Sequence, residues 1–338
     1  MTAILETFQL GFPWKTFDPF LFCVFHNDRF PKGNGAYGPD ASLAGRNIGQ
    51  DFAWKDGWNM YHGDKIPGFP GHPHRGFETI TVVNEGLVDH ADSLGAAGRY
   101  GGGDTQWMTA GKGVQHSEMF PLLSTDENNP LELFQIWINL PAKNKMVTPH
   151  FAMLWREDTP VVEVPDSNDH VTTVKVIAGA LKGHQAPPPP PESWAADAEN
   201  DVAVWHIKVP AGGEFHLPAA SGGLNRALYL FSGSSVSIEE SELSINHGVR
   251  LQSDAVVRLQ AGNEPVELLL LQGKPIAEPV VQYGPFVMNS EAEIHQAFAD
   301  YRRDQFGGWP WGSGDPVHSE AKGRFARHID GRLEEKPL

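Results

Sequence analysis

Gly71-His72-Pro73-His74-Arg75-Gly76-Phe77-Glu78-Thr79 is answered later in the chain by Gly111-Lys112-Gly113-Val114-Gln115-His116-Ser117-Glu118. On a β-strand, residues i and i+2 point to the same face. His72 and His74 therefore share a face, and so do His116 and Glu118. If the two strands are neighbours in a barrel, three imidazoles and one carboxylate converge. That donor set suits Fe(II), Zn(II), Mn(II), Co(II), Ni(II) or Cu(II). Four protein ligands leave positions open on a six-coordinate metal, which is the form of a catalytic site rather than a closed structural one. A lone His-x-His is a weak signal. Two such pairs in one domain, each hemmed by glycines that allow tight turns, make a much stronger one.

Outward from these pairs the chain reads as short strands joined by turns. Runs rich in β-branched, aliphatic and aromatic residues recur: Glu78 to Val83, Leu133 to Ile138, Val171 to Ile177, Val202 to Ile207, Ala227 to Phe231 and Val266 to Leu271. Gly-Gly, Pro-Ala-Gly and Ala-Gly-Asn punctuate them. Helical periodicity is convincing only near the C-terminus. There Ser290 with Glu293 matches a capping box, and Ile294, Ala297, Phe298 and Tyr301 form an apolar stripe. The expected fold is all-β: two units of similar size, a short C-terminal helix and an extended tail. The segment from Met146 to Val164 is the expected connection between units. Five consecutive prolines, Pro187 to Pro191, favour polyproline II and read as a stiff loop between strands rather than a docking motif. Phe306 to Leu338 is Gly-rich and polar, and is expected along the surface or partly disordered.

Composition narrows the function. The 338 residues carry 26 Lys and Arg against 42 Asp and Glu, a formal net charge of -16. Such a chain is a poor partner for a phosphate backbone, so direct nucleic-acid binding is not expected. Hydrophobic residues at 40% exclude disorder throughout. The single cysteine, Cys23, excludes an internal disulfide and any zinc site built on two thiolates of this chain. The apolar run Phe20 to Phe25 is too short for a signal sequence, and no run approaches the ~20 residues that cross a bilayer. A cytoplasmic protein without a membrane partner is expected.

The motifs also carry a family resemblance. His72-Pro73-His74-Arg75-Gly76-Phe77-Glu78-Thr79, Glu85-Gly86, Asp92-Ser93-Leu94-Gly95, Gly103 through Gly113, His116-Ser117-Glu118 and Trp137-Ile138-Asn139-Leu140-Pro141 resemble the pirin family of the cupin superfamily. The resemblance is close and ordered from Pro67 to Pro141 and weaker through Asp300. It implies a bicupin, two jelly-roll β-barrels packed together: residues 1–150 as a metal-binding barrel, 151–285 as a barrel without metal, and 286–338 as helix and tail. It implies one divalent metal ion, most often Fe(II), held by His72, His74, His116 and Glu118. His206, His216 and His247 fall in no His-x-His pair, in keeping with a metal-free second barrel.

Cupins in general use a Glu shortly after the His-x-His, where Glu78 stands. Its parity also puts it with His72 and His74 if the strand is unbroken. The pirin pattern instead uses Glu118, leaving Glu78 as a supporting carboxylate. The resemblance further implies quercetin 2,3-dioxygenase-like cleavage of a flavonol with O2, with Glu118 as both ligand and base. Met108, Trp107 and Trp137 are candidate apolar walls, at least one Trp being expected in core packing. The alternative it implies is a redox- or metal-sensing regulator that binds a transcription factor or a metabolic enzyme. The tail beyond residue 306 is longer than in short pirins and acquires no function from the resemblance.

Overall fold

A computed structural model describes residues 3–338, and strands dominate it. The chain divides into two compact units. One comprises residues 25–135, 142–153 and 278–338; the other comprises residues up to 24, 136–141 and 154–277. The contiguous spans 1–150, 151–285 and 286–338 cut across this division. Backbone pairing supplies the reason: the first strand, Ile4–Gln9, pairs with His247–Leu251, and Arg324–Arg327 pairs with Ala97–Gly101.

The histidine-bearing unit is built on two sheets. Five strands run in the order His150–Leu154, Thr105–Thr109, Phe77–Glu85, Asn129–Asn139 and Phe20–Phe30. Six run in the order Leu333–Lys336, Arg324–Arg327, Ala97–Gly101, Leu87–Asp92, Val114–Met119 and Gly68–His74. The sheets face each other, because Thr81 of the first donates to Glu118 of the second at 2.8 Å. This is the jelly-roll plan.

The other unit repeats the plan with seven strands and four. Its interior is a continuous apolar cluster drawn from both sheets, including Val174, Trp205, Leu228 and Leu268 from one and Phe215, Val236 and Leu259 from the other. Alternation explains it: in Ala203–Val209 every other side chain, Ala203, Trp205, Ile207 and Val209, joins that cluster.

The six expected strands all form. The helix spans Glu291–Asp304 and is capped by Ser290 as the sequence requires, with the Glu293 carboxylate reaching one residue further back than in a standard capping box. Ser290 Oγ accepts from the Glu293 amide, and the Glu293 carboxylate accepts from the Asn289 amide at 3.0 Å. Its stripe packs Ile294, Ala297, Phe298 and Tyr301 around Phe286, Met288 and Phe306.

Met146 to Val164 does carry the chain from one unit to the other, at residues 153/154, and it does so with paired strands, His150–Leu154 and Val161–Pro165, rather than with irregular chain. One expectation needs correction. The tail does not merely lie along the surface. Phe306, Arg324, Phe325, Ala326 and His328 are buried, and a hairpin of Arg324–Arg327 and Leu333–Lys336 completes the six-stranded sheet. Two side-chain donors explain why a polar tail docks. Arg324 donates to the buried Asp104 carboxylate at 2.7 Å, and the Trp311 indole donates to the Asp92 carbonyl at 2.8 Å. Pro187 to Pro191 is irregular chain between a short strand, His184–Gln185, and a 3-10 turn, Trp194–Ala196.

Candidate metal centre

The Gly68–His74 and Val114–Met119 strands are antiparallel neighbours, with His72 directly opposite His116 and His74 opposite Val114. Parity then gathers the three imidazoles on the interior face. One ring nitrogen from each of His72, His74 and His116 lies within 4.8 Å of the others. Among the described residues this is the one group of three or more such donors that could hold a metal ion.

Turn chemistry fixes the edge of the site. After His74 the chain must reverse into the facing sheet, and Gly76 does this at φ 84°, where a Cβ would sit 2.0 Å from the Val287 carbonyl oxygen. Arg75 locks the turn from beneath. It donates to the Lys112 carbonyl at 2.7 Å and to Asp300 of the helix at 2.8 Å, with its guanidinium over the Phe306 ring. The buried Lys145 ammonium donates to the Gly76 and Val287 carbonyls at 2.8 and 3.1 Å.

The electrostatics favour neutral imidazoles. Loss of water pushes the His72 pKa down to about 4, and the His74 and His116 values well below the usual range, with neighbouring histidines adding to the shift. Neutral imidazole is the form that ligates a metal. His72 Nδ1 is 2.9 Å from the Pro70 carbonyl, which leaves Nε2 as the nitrogen available to a metal ion. His116 gives the sharpest test of fit. Its ring is fully buried, yet neither nitrogen has a hydrogen-bond partner. An unpartnered buried polar group costs about 1–3 kcal/mol. A cation held among the three imidazoles would partner one of these nitrogens.

Glu118 stands beside the triad rather than within it. Its Oε2 is 3.8 Å from His116 Nε2. Oε1 accepts from Thr81 at 2.8 Å, and Oε2 from the Gln135 amide at 2.8 Å. Burial pushes its pKa up, against the pull of the Thr81 bond, the nearby His90 and Gln135. Glu78 faces the other way. The strand is broken at Gly76, so its parity with His72 does not carry through. Within Phe77–Glu85, Thr81 points inward to Glu118, which puts Glu78 on the opposite face. There Thr109 donates to it at 2.5 Å. Met108 and Trp107 alternate in the same way. Met108 lines a cavity of this unit, while Trp107 is fully buried on the face of Glu78. Trp137 belongs to the other unit and stacks on Phe22 at 4.6 Å.

Two site neighbours escaped the sequence reading. His90 lies opposite Glu118 and Asp92 opposite His116 in the adjoining strand. The His90 ring is 5.5 Å from that of His116. Their i, i+2 spacing in His90-Ala91-Asp92 is the signal that could have found them. In the second unit, His206 pairs with Glu267, His216 with Glu214, and His247 with the Ile245 carbonyl. All three are hydrogen-bonded histidines, as their lack of His-x-His spacing suggests.

Comparison with known proteins identifies the family. Residues 41–138 match the family model described as pirin, and residues 204–307 match that of the pirin C-terminal cupin domain. A Pseudomonas aeruginosa protein named "Putative quercetin 2,3-dioxygenase" is 38% identical over 235 residues, 70% of this chain and 78% of its own. A pirin-like protein of Caulobacter vibrioides is 37% identical over 72% of this chain and 82% of its own. The crystal structure of quercetin 2,3-dioxygenase from Acinetobacter baumannii superposes with a TM-score of 0.71 at 26% identity, covering 91% of this chain and 99% of that one. Two cupin units, an imidazole triad inside the first and matches spanning both place this chain in the pirin family.

Proposed function

We propose that this pirin is a metal-dependent dioxygenase of the quercetin 2,3-dioxygenase type, acting on a flavonol-like substrate with O2. The carrying observation is the buried His116 imidazole, unpartnered at both nitrogens and facing His72 and His74. His72, His74 and His116 hold a divalent ion, most simply Fe(II), and Glu118 completes the set. The ion supplies Lewis acidity toward a substrate hydroxyl and a common point at which the reactants are oriented.

The chain's own residues do the rest. Glu118 takes the proton of the substrate's 3-hydroxyl at Oε2, the oxygen nearer His116. Gln135 and Thr81 fix that carboxylate so that its position does not depend on the substrate. The buried Tyr100 hydroxyl, 3.5 Å from Oε1, stays protonated, because burial and the neighbouring Glu118 push its pKa well above the usual phenol range. The buried interior keeps water from competing with the flavonolate for its partners.

Quercetin-dependent O2 uptake by protein loaded anaerobically with Fe(II) is the test. Uptake that disappears in His116→Ala is the expected result. A fully loaded wild-type protein that consumes no O2 with quercetin would remove the reading.

A further inference from the structure

We propose that the C-terminal hairpin is the outer wall of a ligand cavity beside the histidine triad, and that it selects flat phenolic ligands by how much of them it lets in. This rests on the flavonol reading for its choice of ligand. The cavity measures about 220 Å³ and lies wholly within the histidine-bearing unit. Asp92, Met108 and Val114 line one side, and His328, Ile329 and Arg332 of the hairpin line the other. Val114 is directly opposite His74, and Asp92 directly opposite His116. The cavity and the triad therefore share one face of one sheet.

Ring contacts link the hairpin to the triad. The His116 and His90 rings are 5.5 Å apart, and His90 and Phe151 also 5.5 Å. Phe151 stacks on His328 at 4.7 Å with 20° between planes. The Glu334 carboxylate holds that His328 ring at 2.7 Å. The flat stacked pair and the apolar Met108, Val114 and Ile329 suit the face of an aromatic ring. His150 and Arg332 at the same cavity offer donors to its hydroxyl or phenolate edge.

Size makes the wall selective. Pockets that enclose a whole drug-sized ligand usually run from about 300 Å³ upward. This cavity takes one fused ring system, and the remainder of a flavonol must leave past Ile329, whose side chain sits in the turn and is 53% exposed. The wall lies beyond residue 307, where the match to the pirin C-terminal cupin domain ends. Substrate choice is thus assigned to a segment outside both family models.

The test loads the full chain with Zn(II), which is redox-inert, and titrates it with quercetin or with single-ring catechol under nitrogen. Ile329→Trp fills the exit, and Ile329→Asp keeps it open but makes it polar. Both are expected to weaken quercetin binding about tenfold, with catechol changed less than about threefold and zinc stoichiometry unchanged. Val256→Trp, at an exposed turn of the other unit, should match wild type. Quercetin affinity unaffected by both Ile329 variants would overturn the proposal, as would a zinc-loaded wild type that does not bind quercetin. Binding that responds to Ile329 in a protein whose Fe(II) form consumes no O2 would keep the wall and remove only the dioxygenase reading.

Discussion

The two units use one architecture for opposite ends. In the 154–277 unit the space between the sheets is filled by Val, Leu, Ile, Phe and Trp, packed as an ordinary core. In the other, the same space holds His72, His74, His90, His116, Glu118, Thr81 and Tyr100, nearly all of them buried. Burying apolar surface stabilises a fold at about 25 cal/mol per Å². Burying imidazoles and a carboxylate does not, unless each finds a partner. The comparison teaches that the same jelly-roll frame can hold a polar interior where its buried groups find partners, as Glu118 does in Thr81 and Gln135.

Four substitutions sharpen or break that contrast. His116→Ala should have the largest effect, removing most bound metal as read by elemental analysis, because a site with so few ligands does not replace one. Full occupancy in that variant would show that His116 is not among the ligands and that the assigned set is wrong. Leu268→Ala in the apolar unit should cost about 3 kcal/mol in chemical denaturation and leave the metal content of folded protein intact. A loss below about 1 kcal/mol would mean that the apolar core is not what carries that unit.

Asp28→Asn probes a second polar set in the histidine-bearing unit, where Tyr61 donates to Asp28 at 2.6 Å and contacts His26 at 2.8 Å. Burial lowers the His26 pKa to about 4, so between pH 6.5 and 4 the unfolded chain takes the proton and stability falls. Burial raises the Asp28 pKa to about 6, so between pH 6 and 3.8 the folded chain takes the proton and stability rises. The two oppose each other. Without the Asp28 contribution the variant should lose on the order of 2 kcal/mol more than wild type between pH 6.5 and 4.5. Parallel denaturation curves at both pH values would discard the pairing. Glu78→Gln should have the smallest effect, with metal still bound, since Glu78 faces away from the triad and bonds Thr109. An emptied site would return Glu78 to the ligand set.

Local chemistry was legible in the sequence. Strand parity put His72 with His74 and His116 with Glu118 on shared faces, and Ser290 with Glu293 placed the start of the helix. What resisted reading depends on pairing across long stretches of chain. The reversal at Gly76 flips Glu78 outward, which no i, i+2 count reveals. His90 reaches the site only because its strand lies beside Val114–Met119. The tail looked like surface because its strands are short and polar, and their partner is Ala97–Gly101, far back in the chain. His150–Leu154 was hidden for the same reason, its partner being Thr105–Thr109.

That last pairing of the tail sets an order of assembly. During synthesis the 154–277 unit has all its residues once Ala277 has left the ribosome. The histidine-bearing unit has residues 25–135 before most of the other unit is made, yet gains its hairpin only later, when Arg324–Arg327 and Leu333–Lys336 emerge. Until then Ala97–Gly101 is an unpaired sheet edge, the kind of surface that recruits foreign strands. A nascent chain that has emerged only as far as Asp304 carries His72, His74, His116 and Glu118 and still presents an open flank along Ala97–Gly101.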